Sequence, residues 1–188
     1  MSTPTINIPG YLVGTWDIDP VHSDVSITAR HFVVSKVRGA FGDYEGQIVT
    51  AENPLDSTVN ATIKAASIDT RQEQRDEHIR SADFLDVENH PTISFVSTGI
   101  RNDGGDFKLD GNLTLHGVTK PVTLGLEING FGPDAYGGNR VGFSASTAIS
   151  RKDFDIRFNA TIEGTGGAVV SDKLEVTLEI EAVLRKQD

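Results

Sequence analysis

The sequence contains no cysteine. That removes disulfide staples, thiolate metal sites and thiol nucleophiles, and leaves the redox compartment open. Basic charge is scarce: 17 Lys and Arg stand against 27 Asp and Glu, giving a formal net charge of −10 and a pI near 4.9. A surface of that sign repels phosphate backbones, so a nucleic-acid partner is not expected. Long apolar runs are missing, and nothing approaches the roughly 18 residues a transmembrane helix needs. The opening "MSTPTINIPGYLVGTW" has neither a basic n-region nor an apolar core of signal-peptide length. These two absences set the expectations of no transmembrane segment and a cytoplasmic location.

What the sequence has is alternation. "LEVTLEIEA" puts Leu174, Val176, Leu178, Ile180 and Ala182 on one face and Glu175, Thr177, Glu179 and Glu181 on the other. This is the pattern of a half-buried antiparallel strand. "FKLDGNLTL", "VTLGLEI" and "VGFSASTAI" repeat it, with Phe107, Leu109, Leu113 and Leu115, then Val122, Leu124, Leu126 and Ile128, then Val141, Phe143, Ala145 and Ile149 inward. "DPVHSDVSITARHFVV" does so with Val25, Ile27, Ala29, His31 and Val33. Gly- and Asp-rich turns separate the runs, and the 19 glycines suit a curling sheet. About eight short strands in succession predict a meander that closes into a barrel, since closure removes exposed edges. Residues 1–13 read as an N-terminal extension and 14–186 as one domain.

One segment does not alternate. In "TRQEQRDEHIRSADFL", Thr70 and Glu73 have capping-box spacing, predicting a helix from Gln72 to about Ala82. It is too polar to be buried and is expected to lie across one end of the barrel, with Phe84 and Leu85 tucked beneath it. Small residues on inward rows (Ala29, Ala61, Ala65, Gly111, Ala145) leave room for an apolar tunnel, or else accommodate neighbouring aromatic rings. The expected tunnel lining is Val25, Ile27, Ala29, Phe41, Phe95, Leu113, Leu115, Leu124, Leu126, Phe143, Val176 and Leu178.

Motifs for chemistry are sparse. There is no G-x-S-x-G elbow, and "GTGG" at 164–167 lacks the strand-to-helix setting of a phosphate loop. Asp153 and Asp155 flank Phe154 on a strand-like run and read as a solvated face. Among the histidines His22, His31, His78, His90 and His116, no pair has i, i+2 or i, i+4 spacing, and His22 and His31 fall on opposite faces of an unbroken strand. No metal and no catalytic group are expected. The polar residues of the opening stretch either satisfy local hydrogen bonds or meet a ligand head group.

"WDIDPVHSDVSITARHFVVSKVRGAFGDYEGQIV", "ATIKAASIDTRQEQRDEHIRSADFLDVENHPTISFVST", "LDGNLTLHGVTKPVTLGLEI" and "SRKDFDI" together resemble the YceI-like family of polyisoprenoid-binding proteins, over about residues 14–184. The resemblance implies an all-β fold, an extended eight-stranded antiparallel lipocalin-like barrel with one short helix near an opening. It implies a non-enzymatic binding or carrier protein that holds a polyprenyl lipid or isoprenoid quinone in its interior, uses no other cofactor, and forms a homodimer. His22, Arg30, His31, Arg75 and His78 are the residues expected at a tunnel mouth or head group. Two alternatives stand beside this: an enzyme acting on such a lipid through His31, His78 or Arg75, and a structural or stress-related module whose barrel is filled by its own side chains. Asp155 departs from the family, whose members usually have glycine after the phenylalanine.

Overall fold

The alternating rows become strands, and their inward residues become the core. In the computed structural model, which describes residues 6–31, 34–159 and 170–187, the order is β1 (Gly14–Ile18), β2 (Asp24–His31), β3 (Ser35–Phe41), β4 (Tyr44–Thr50), β5 (Thr58–Lys64), β6 (Ile68–Asp69), α1 (Glu73–Arg80), β7 (Thr92–Asp103), β8 (Asp106–Leu115), β9 (Val118–Pro133), β10 (Asn139–Ser150) and β11 (Lys173–Leu184). Val33 and the Gly164–Gly167 stretch lie outside the described residues.

A closed barrel of eight antiparallel strands forms, with the order β1-β4-β5-β7-β8-β9-β10-β11 and closure of β11 onto β1. The remaining strands, β2, β3 and β6, extend this ring without adding a position to it. β11 is shared along its length: Ala182–Leu184 pairs with β1, and Glu175–Glu179 pairs with β2. β1 and β2 are therefore two halves of one barrel position, interrupted around Pro20, which has no N–H to give to a ladder. β3 and β4 are likewise halves of the next position, pairing with β2 and β1 respectively and separated by Gly42 and Asp43. At the β2–β3 end the sheet stops at the two-residue β6, which pairs with β3. The chain from β6 to β7, including α1, spans the gap left there.

The barrel interior is not an open tube. Trp16 is fully buried with Ile48, Val141 and Ala182, and its Nε1 donates to Thr50 Oγ1 at 2.9 Å. Leu109, Leu124 and Ala145 fill the middle, with Phe95, Leu126 and Leu178 against them. Val25, Phe41, Leu115, Ile149 and Phe154 build the largest cluster, joined by Leu113, Val176 and Leu178. Small inward residues did not leave a continuous channel. At Gly111 the Phe95 ring occupies the place a side chain would take, so the glycine accommodates an aromatic neighbour instead of making space.

α1 is shorter than the sequence predicts and is capped two residues later. Gln72 is its N-cap, with Oε1 accepting from Arg75 N at 2.6 Å. Thr70 turns the other way: its N and Oγ1 both donate to Asp76 Oδ1, at 2.8 and 2.6 Å. Arg71, at φ 66°, breaks the chain between them. Asp153 and Asp155 are not on a strand either. Residues Arg151–Phe154 form a 3-10 turn, and Asp155 at φ 59° makes the bend, where its N–H bonds back to Lys152 O at 3.0 Å. Aspartate tolerates the left-handed conformation better than most side chains, so the bend survives without a glycine.

Candidate functional site

The incomplete end of the barrel holds a cavity of about 260 Å³. β2 contributes Ile27 and Ala29, β3 contributes Val37, Gly39 and Phe41, and β6 contributes Ile68. Inward alternation along neighbouring strands brings these together. The other wall is mostly not sheet: Ile79 of α1, then Phe84 and Leu85, then Ile156, with Leu174 of β11 beside them. Gly39 lets Ile68 pack close, since a Cβ there would come within 2.8 Å of Ile68 Cδ1.

Polar groups gather at the rim: Arg30, His31, Arg75, His78, Arg151 and Asn159. Arg151 is nearly fully buried and acts as a clamp. Its guanidinium donates to Ile156 O at 3.0 Å, Phe158 O at 2.7 Å and Ser171 O at 3.0 Å, and it reaches Asp172 Oδ1 at 3.4 Å. Burial lowers the Arg151 pKa and the Asp172 carboxylate opposes that shift. Arg75 donates to Thr70 Oγ1 and Thr70 O, each at 2.7 Å. His78, Phe84 and Phe158 pack edge-to-face, with centroids 5.0 to 5.3 Å apart. This trio forms an aromatic lip in which the imidazole Nε2 lies 2.9 Å from Asp83 Oδ2.

Of the twelve residues expected to line a tunnel, Ile27, Ala29 and Phe41 face this cavity. Leu126 and Phe143 border a separate pocket of about 70 Å³ at the opposite end, beside Tyr11 and Phe131. Val25, Phe95, Leu113, Leu115, Leu124, Val176 and Leu178 instead interdigitate in the packed interior between the two. The physical reason is side-chain length: branched and aromatic residues on facing rows of a narrow barrel meet across it. Among the expected head-group residues, Arg30, His31, Arg75 and His78 are at the cavity. His22 is not. It lies on the outer surface, its Nδ1 2.7 Å from Asp19 Oδ2. The lining residues that sequence reasoning missed are the non-alternating ones, above all Arg151, Ile156 and Phe158. Their only signal was position inside "SRKDFDI" and just beyond it.

Among the described residues, two groups of metal-ligating side chains converge, although histidine spacing shows neither. The first is Asp19, His22 and Glu181. Arg140 already serves it, with Nη1 2.8 Å from Asp19 Oδ2 and 2.9 Å from Glu181 Oε2. His22 and Arg140 together hold the Asp19 pKa down to about 2, against the opposing effect of burial. The second is Asp86, His90 and His116, on the rim of the end that carries the cavity.

Comparison with known proteins agrees with this architecture. Residues 16–182 match the sequence model of the YceI-like domain. The chain is 39% identical to Protein YceI of Escherichia coli O17:K52:H18 over 171 residues, covering 90% of this chain and 86% of that one. It is 38% identical to a UPF0312 protein of Pectobacterium carotovorum, over 91% of this chain and 86% of that one. Among solved structures, Burkholderia cenocepacia BcnA superposes with a TM-score of 0.75 at 22% identity, over 87% of this chain and 98% of that one. A polyisoprenoid binding domain from Saccharophagus degradans, implicated in plant cell wall breakdown, superposes at 0.68 and 14% identity, over 93% of this chain and 100% of that one. The barrel, its single short helix and the family match over most of the sequence place this chain in the YceI-like family.

Proposed function

We propose that this protein is a non-enzymatic carrier or buffer of an isoprenoid lipid, holding one end of it in the cavity under α1. The observation that carries this reading is the apolar 260 Å³ chamber with a polar rim. A cavity of roughly 150 Å³ takes a benzene ring, so by proportion this one takes about ten carbons, or two isoprene units. At ~0.8 kcal/mol per buried CH₂, those carbons gain about 8 kcal/mol before the cost of ordering the ligand. Such a gain sets a micromolar ceiling for that segment. A long chain continues outside the barrel or displaces core side chains, because the middle is packed. A polyisoprenoid binding domain shares the fold, and the family resemblance points to the same ligand class.

The rim suits recognition better than turnover. Arg75 and Arg151 are engaged with backbone and hydroxyl oxygens, and a guanidinium does not give up its proton in a protein. A quinone carbonyl or a polyprenyl head group would meet N–H donors there. A cytoplasmic setting and a homodimer, the latter implied by the family resemblance, complete the reading. Both belong to this proposal and are tested by fractionation and sedimentation.

Organic extraction of the purified protein followed by mass spectrometry should yield an isoprenoid. In titrations with a fluorescent polyprenyl or quinone analogue, Ala29→Trp should weaken binding at least tenfold by filling the chamber. Glu127→Trp, on the exposed face of β9, should bind as the parent does. Equal affinity in both folded variants would remove the chamber as the binding site.

A further inference from the structure

Two turns bring Asp86, His90 and His116 together from separate parts of the chain. His90 N donates to Asp86 O at 2.8 Å and Asn89 N to the same oxygen at 3.2 Å. This single helical turn sets Asp86 and His90 on one side, four residues apart. His116 and Gly117 connect β8 to β9, closing the pair Leu115↔Val118. Both take positive φ, 54° and 72°, as a tight hairpin turn of the primed type requires. The β7–β8 register, with Ser94 opposite Thr114, brings the start of β7 beside that turn. The two imidazoles meet edge-to-face with centroids 4.9 Å apart. One donor atom from each of the three side chains lies within 4.8 Å of the others, and all three residues are half-buried.

We infer that these three side chains form a binding site for a divalent transition metal of the zinc class. Three features point that way. First, among the described residues no hydrogen bond or ion pair links the three side chains to one another, and the edge-to-face contact of the two rings leaves the carboxylate unaccounted for. Second, each is held by a partner that leaves a ligating lone pair available. His116 Nδ1 lies 3.1 Å from Phe154 O. A carbonyl only accepts, so Nδ1 carries the proton and Nε2 is left as a ligand. Asn89 Nδ2 donates to both Asp86 carboxylate oxygens, at 3.1 and 3.0 Å, which fixes the carboxylate without neutralising it. The His90 ring rests against Gly117, where a Cβ would come within 2.6 Å of its Cε1. Third, Asp86 at φ 49° and His116 at φ 54° each occupy a left-handed bend that Asp and His adopt more readily than most residues, so each turn fixes where its side chain leaves the backbone.

Two imidazoles and a carboxylate suit Zn²⁺, with Ni²⁺ and Cu²⁺ as competitors, and leave a fourth position for water. The Asp19 group differs because Arg140 already places a cation between its carboxylates.

The test is calorimetric titration of the untagged, chelator-stripped full chain with Zn²⁺ near neutral pH. One ion per chain is expected. His116→Asn should weaken binding at least tenfold while preserving the fold, since Asn-Gly is the preferred pair for this turn. His90→Gln should do the same, and His22→Gln should change nothing. Absence of Zn²⁺ binding by the parent, unchanged affinity in His116→Asn, or loss in His22→Gln would each overturn the assignment. Circular dichroism checks the fold of each variant, and His116→Asn decides alone if His90→Gln does not fold.

Discussion

Arg140 shows what a single side chain does at the bend between β1 and β2. It bridges Asp19, Glu181 and Asp134, tying the first barrel position to the last where the ladder is interrupted. Asp19 has its pKa lowered from 3.8 to about 2. A depressed carboxylate pKa means that the folded state binds that proton less readily than the unfolded state. The resulting stability is fully present above the ordinary value and is lost as pH falls toward about 2. Asp19→Asn should therefore lower stability by about 1–2 kcal/mol at pH 7, measured by urea denaturation. The difference from the parent should stay constant down to about pH 4 and shrink below it. A difference that persists undiminished at pH 2 would mean that packing, and not charge, is responsible. At this scale the sequence was legible only in part. "DPVHSD" announced a local hydrogen-bonded turn, and His22 does bond to Asp19. Nothing in the sequence pointed from Asp19 to Arg140, which is brought in by closure of the barrel.

Among the elements, α1 is the one held by polar contacts. Asp76 is buried and accepts both donors of Thr70, while Arg80 donates to Ala66 O at 2.8 Å and Ile68 O at 3.0 Å. Ile79 is its one apolar contribution to the cavity wall. A helix attached this way can loosen without uncovering much core. Asp76→Ala should cost about 1.5–3 kcal/mol, the worth of hydrogen bonds to a charged acceptor. Hydrogen exchange in Glu73–Arg80 should accelerate more than in β8–β10, and uniform acceleration across the barrel would show that α1 is not a separate unit. The strands were legible because alternation is a direct record of which face is buried. The helix was legible as a loss of alternation, but its start was misplaced, since Thr70 and Glu73 fit a capping box that Asp76 outcompetes. The cavity's second wall was illegible for a related reason: Arg151–Phe158 has no period, and its path is set by a clamp on backbone carbonyls.

At the scale of the whole molecule, the balance between a filled and an open barrel is the main departure from expectation. Alternation tells which residues point inward and not whether they meet. Phe95 against Gly111, and Leu109 and Leu124 against Ala145 and Leu178, close the middle; the chamber of about 260 Å³ lies where the sheet itself is incomplete, and a smaller pocket of about 70 Å³ lies at the other end. The cavity is thus a product of topology more than of small residues. The join between β1 and β11 carries a different consequence. Trp16 pairs with Leu184, and Arg185 N donates to Thr15 O at 2.8 Å, so the first strand made on the ribosome waits for the last one. Until the C-terminal strand leaves the exit tunnel, Trp16 lacks Ala182 above it and β1 presents an open edge, a template for pairing with another chain. Closure of the ring therefore cannot precede the emergence of β11. A chain ending before Lys173 should accumulate as insoluble aggregate, recoverable on adding a synthetic β11 peptide during refolding; a soluble, folded truncation would show that the ring does not depend on its final strand.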